Sequence, residues 1–129
     1  MEYYFSKILD CSFDEAEVKV LNALKEKGFG LIMEIDMRQK LNEKLGVEIQ
    51  PYKILGMCNP GFAYKALQAE EKIGTMLPCN VLVIGKGEGR TEVSAVNPTA
   101  SMMAIQNPGL GVLAHEVTEI LKNAIAGLS

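Results

Sequence analysis

The sequence predicts an α+β domain of two layers: a mainly antiparallel five-stranded sheet with helices packed on one face, in the order β-α-β-α-β-α-β-β-α-α. Three observations carry this. Short apolar runs, some with the two-residue period of a strand, alternate with stretches of helical period. Three Asn-Pro dipeptides, at 59–60, 97–98 and 107–108, each stand at the start of a helix-like segment. The glycine-rich "GKGEGRT" turns one apolar run straight back on the next. A doubly wound parallel sheet is less natural, because strands four and five are joined by that hairpin.

The elements follow in order. "EYYFSKIL" alternates its aromatics and reads as strand one. Ser12 opens a capping box with Glu15. Phe13, Ala16, Val20, Leu21 and Leu24 then lie on one helical face, and Gly28 supplies the stop. "FGLIMEI" reads as strand two, and Asp36 can cap a helix through Met37, Leu41 and Leu45 that ends at Gly46. "QPYKILGMC" is strand three. The helix after Asn59 carries Phe62, Ala66 and Leu67 and extends toward Ile73. "CNVLVIGK" and "RTEVSAVN" are strands four and five of a hairpin. Asn97-Pro98 starts a short helix through Met102 and Met103. Asn107-Pro108 starts the longest helix, with Leu110, Leu113, Val117, Ile120, Leu121, Ala124 and Leu128 as its buried stripe. The Asn-Pro pairs have a physical reason: an asparagine oxygen accepts an orphan N–H at the N-cap, and proline has no N–H to lose in the first turn.

Composition limits the function. The chain has 129 residues, enough for one domain spanning 1–129, and no repeat, linker or low-complexity tract divides it. Hydrophobic residues make up 48% and charged ones 22%, with a net charge of −3. No basic patch answers a nucleic-acid backbone, and no cationic amphipathic helix answers a membrane surface. No run approaches the roughly 18 apolar residues of a membrane span. "MEYYFSKILD" lacks the basic and apolar regions of a signal peptide, so the expected location is cytoplasmic.

The chemistry concentrates at two cysteines. Cys58 ends strand three, one residue before the N-cap Asn59; a helix N-terminus favours a thiolate. Cys79 opens strand four and is followed by Asn80. If strands three and four are neighbours, both thiols lie at one sheet end, where they could bind a small molecule, form a redox disulfide, pass a sulfur atom or hold a soft metal. The plainer alternative is two small buried hydrophobes at strand ends. Tyr52 and Tyr64 flank the junction and could wall a pocket. The ligand-binding or redox candidates are therefore Cys58, Asn59, Cys79, Asn80, Tyr52 and Tyr64. Two thiols do not complete a zinc site, and His115, Met57, Met76, Met102 and Met103 read as surface or core residues, so no metal is assigned. Cys11, in a strand-to-helix turn, reads as structural. "GKGEGRT" lacks the G-K-[ST] of a phosphate loop, and no carboxylate pair forms a catalytic constellation. Catalytic residues and cofactor stay unassigned.

The segments "PYKILGMCNPGFAYKAL", "IGTMLPCNVLVI" and "VSAVNPTASM" resemble the family known as domain of unknown function 302, and the likeness runs from "YYFSKILD" to the closing helix. The resemblance implies a compact α+β domain, bacterial or archaeal and often dimeric, with no settled activity. Its recurring segments fall on Cys58, Asn59, Pro60 and on Pro78, Cys79, Asn80. Two functions are in view. One is small-molecule binding or sulfur and redox chemistry at Cys58 and Cys79. The other is a non-enzymatic homodimeric ligand-binding or interaction module with structural cysteines. The apolar character of strands three and four on both faces places them at the sheet centre or against a partner copy.

Overall fold

The computed structural model describes residues 1–129. Five strands form one sheet: β1 (Tyr4–Leu9), β2 (Gly30–Asp36), β3 (Tyr52–Cys58), β4 (Cys79–Gly87) and β5 (Arg90–Val96). Their order is β1-β5-β4-β3-β2, and every neighbouring pair is antiparallel. The helices are α1 (Phe13–Glu26), α2 (Met37–Leu45), α3 (Pro60–Ala69), α4 (Pro98–Ser101) and α5 (Pro108–Ala126). The fold is the expected α+β arrangement. β4 is the central strand and β3 lies beside it, which explains why both read as apolar on two faces.

Local chemistry sets the ends of these elements. Ser12 accepts the N–H of Glu15 and Asp36 that of Gln39. All three asparagines of the Asn-Pro pairs are N-caps: Asn59 Oδ1 accepts from Phe62, Asn97 Oδ1 from Thr99 and Asn107 Oδ1 from Gly109. Two of them also tie distant chain together. Asn97 Nδ2 donates to the Glu2 carbonyl and Asn107 Nδ2 to that of Ala69, both at 2.9 Å. The β4–β5 turn has positive φ at both Glu88 (56°) and Gly89 (72°), as a type I′ hairpin requires.

α1 and α5 cover one sheet face. Ala16, Val20 and Leu24 of α1 and Leu121, Ala124 and Ile125 of α5 meet Leu55, Val81, Val83 and Val93 of the strands. Burying each large side chain of this set stabilises the fold by about 1.5–3 kcal/mol. Two polar ties flank the layer. Lys53 on β3 pairs with Glu17 on α1 at 3.0 Å, and this hydrogen bond pushes the lysine pKa up against the opposing effect of burial. Lys7 on β1 donates to the carbonyls of Ala126 and Leu128, capping the end of α5.

One helix differs from expectation. α3 stops at Ala69, and Ile73 sits instead in a short 3₁₀ helix, Glu71–Met76. Ile73 is fully buried in a second, smaller cluster with Ala66 and Leu110. The break at Glu70 lets the chain turn and deliver Ile73 to that cluster, where a straight continuation of α3 would not.

Glycine 56, in the middle of β3, is demanded by its neighbours. A Cβ there would meet Met33 Cγ at 2.6 Å and Pro78 Cγ at 2.7 Å. Gly56→Ala is expected to lower stability in urea unfolding by about 1–3 kcal/mol; an unchanged midpoint would contradict the close approach.

Candidate functional site

The register of β3 on β4 answers the question posed by the two cysteines. Met57 is the cross-strand partner of Cys79, so Cys58 and Cys79 stand at the same end of the sheet. Cys79 points with Val81 and Val83 toward the helices. Cys58 is in the opposite pleat phase, yet it is the last residue of its strand, where the chain turns into the α3 cap. Both side chains line one cavity of about 310 Å³, partly open to solvent. All three cysteines are free thiols.

The cavity lies between the sheet end and three helices. The sheet and its connections contribute Phe29, Ile32, Met57, Cys58, Leu77, Pro78 and Cys79. α3 presents Phe62, Ala63, Ala66 and Leu67; α5 presents Leu110, Leu113, Ala114 and Val117; Pro98 and Met102 come from α4 and its end. Fifteen of the eighteen lining residues are hydrophobic. The register between β2 and β3 shifts between Leu31 and Met33, so Ile32 is an extra residue in the ladder, and its side chain becomes cavity wall. Small residues on α3 and α5 (Ala63, Ala66, Ala114) leave the space open.

The polar side chain in this wall is that of Asn59, and its oxygen is already engaged by the Phe62 N–H at 3.2 Å. Its amide lies against Gly28, where a Cβ would approach Nδ2 to 2.9 Å and where φ is +85°. Glycine at 28 is therefore required twice, by its conformation and by the seat of the cap. No buried side-chain nitrogen or oxygen in the molecule lacks a hydrogen-bond partner. The cavity consequently offers apolar surface and sulfur, with the Asn59 side-chain amide N–H₂ as its one polar group free of a protein partner.

The two thiols differ in setting. Cys58 is half-buried and Cys79 buried. Burial, and secondarily the nearby Cys58, push the Cys79 thiol up to about 11. A neutral S–H is thus its form at physiological pH. No three His, Cys, Asp or Glu side chains come together as a metal-binding group.

Of the residues singled out from sequence, the cavity brings together Cys58, Asn59 and Cys79. Asn80 does not line it; it is exposed and points to the other sheet face, opposite Gly56. Tyr52 sits at the far end of β3, paired with Ile84, and Tyr64 faces solvent on α3, 64% exposed. Met57 and Met102 line the cavity, whereas Met76, Met103 and His115 are exposed. Cys11 is buried at the opposite side of β5, its carbonyl accepting from Thr91 Oγ1. Sequence reasoning missed Phe29, Ile32 and Ala114 as wall residues. The spacing of Leu110, Leu113 and Val117 showed a buried stripe but not that part of it faces a void.

At pH 8, raising a thiol pKa from 9.0 to about 11 leaves about 100-fold less thiolate. Native Cys79 is therefore expected to react with iodoacetamide at least that much more slowly than in urea, as read by peptide mass mapping. The folded-state pKa lies above the unfolded one, so stability from the neutral buried thiol is full below pH 9.0 and is lost as pH rises through about 11. Urea midpoints across that window are expected to fall more steeply for the natural protein than for Cys79→Ala.

Comparison with known proteins agrees with this fold. No curated protein matches the chain. Among solved structures, the crystal structure of an uncharacterized conserved DUF302 protein from Bacillus stearothermophilus superposes with a TM-score of 0.90 at 25% identity, covering 100% of both chains. The family described as domain of unknown function DUF302 matches residues 5–128. With nearly its whole length inside that match, the chain belongs to the DUF302 family.

Proposed function

We propose that the protein is a binding module for a compact apolar small molecule, held in the cavity at the Cys58/Cys79 end of the sheet. The observation that carries this is a preformed cavity of about 310 Å³ with an overwhelmingly hydrophobic wall. Ligand pockets are typically of this size and character. An apolar cavity of about 150 Å³ takes a benzene, so a void about twice as large has room for a two-ring hydrocarbon or a short branched chain. The thiols sit where they could touch such a ligand, but the buried one is held neutral and His115, the one histidine, is exposed and does not line the cavity. That favours binding over nucleophilic or redox catalysis.

N-phenyl-1-naphthylamine, a neutral dye that brightens in apolar surroundings, tests the cavity. One dye per chain is expected to bind, and Ala114→Phe, which fills the void from α5, is expected to abolish the signal with the fold retained by circular dichroism. Equal brightening in the variant would defeat the assignment.

A second reading concerns assembly. On the sheet face away from α1 and α5, Tyr4 and Ile8 at the β1 edge and Met33 at the β2 edge are 38%, 48% and 51% exposed, with half-buried Ile54, Leu82 and Ile84 between them. We assign this face to a second copy of the chain. Large exposed apolar patches mark interaction surfaces. Sedimentation at tens of micromolar is expected to give a dimer, and Ile8→Glu a monomer; a monomeric natural protein would end this reading.

A further inference from the structure

The two ends of the Asn59 amide have different fates. Its oxygen is the atom that meets the Phe62 N–H, because a backbone N–H only donates. That fixes the orientation of the amide and turns Nδ2 to the other side, against the bare backbone of Gly28. Nδ2 donates to no protein atom, whereas the matching atoms of Asn97 and Asn107 donate to the Glu2 and Ala69 carbonyls. Every fully buried side-chain nitrogen and oxygen has a partner, so this unpartnered nitrogen is not sealed within the protein. Its side chain is part of the cavity wall, and the other side chains of that wall are carbon and sulfur alone.

Such a wall selects by matching. A carboxylate or an ammonium would enter an apolar space that holds no opposite charge. An alcohol brings an O–H donor, and the one side-chain oxygen in the wall already serves as the α3 cap. A ketone, aldehyde or ester carbonyl only accepts, and it pairs with the donor at hand. We infer that the ligand is a neutral apolar molecule bearing a carbonyl oxygen, and that Asn59 Nδ2 donates to that oxygen. Asn59 then has two tasks: Oδ1 holds the start of α3, and Nδ2 sets the ligand class. The inference rests on the apolar-cavity reading and adds a chemical class to it.

The test is displacement of N-phenyl-1-naphthylamine by 1-tetralone and by tetralin, two-ring compounds that differ only in the carbonyl. Asn59→Asp and Asn59→Ser both keep a capping oxygen and lose the N–H₂. In each, the ratio of 1-tetralone affinity to tetralin affinity is expected to fall about tenfold, with helix content by circular dichroism retained. The infrared C=O stretch of bound 1-tetralone, read with an isotope-labelled carbonyl, is expected at lower frequency in the natural protein than in Asn59→Ser. A merely loosened cavity would not move that band. 1-Naphthoate is expected to bind at least about tenfold more weakly than 1-tetralone. An unchanged affinity ratio, an unchanged stretch, or 1-naphthoate binding as well as the ketone overturns this assignment, while tetralin binding leaves the apolar-cavity reading standing. Failure of both dye and tetralin to bind overturns the two together.

Discussion

The antiparallel register that pairs Met57 with Cys79 organises the molecule. It makes β3 and β4 neighbours at the middle of the sheet and sends the strand-to-helix turn at Asn59 and the Leu77–Pro78 approach to the same rim. It also fixes Gly56 beneath Met33 and Pro78, a position that admits no side chain. A shift of one residue would reverse the faces of β4, expose Val81 and Val83, and remove Cys79 from the cavity. The hydrophobic pattern therefore enforces the register, and the register places the sulfurs.

Much of this was legible in the chain because it rests on local chemistry. Caps depend on side chains two or three residues from the N–H they satisfy, so Ser12, Asp36, Asn59, Asn97 and Asn107 could be read from spacing, and all five cap a helix. The Glu88-Gly89 turn is local in the same sense. What could not be read is what distant segments do to one another. The order β1-β5-β4-β3-β2 places the first strand beside the last, which no short window of sequence encodes. The extra residue Ile32 in the β2 ladder and the break between α3 and the 3₁₀ helix are settled by packing against β3 and against the small cluster of Ala66, Ile73 and Leu110.

The candidate site divides along the same line. Cys58, Asn59 and Cys79 were visible because each stands at a junction. Tyr52 and Tyr64 were chosen for nearness in sequence, but β3 carries Tyr52 to the far end of the sheet and the helical period turns Tyr64 to solvent. Asn80 follows Cys79 and so, by the two-residue period of a strand, must point the other way. Met102, remote in sequence, joins the wall because Asn97 and Thr118 anchor α4 against α5 through the Thr99 amide and hydroxyl. No local pattern announces that contact.

Whether the two thiols share one cavity can be asked chemically with dibromobimane, which becomes fluorescent on joining two neighbouring thiols. In a Cys11→Ser background, the folded protein should yield a fluorescent one-to-one adduct joining the peptides that contain Cys58 and Cys79. Separate, non-fluorescent labelling of the two cysteines would show that the rim does not bring them together.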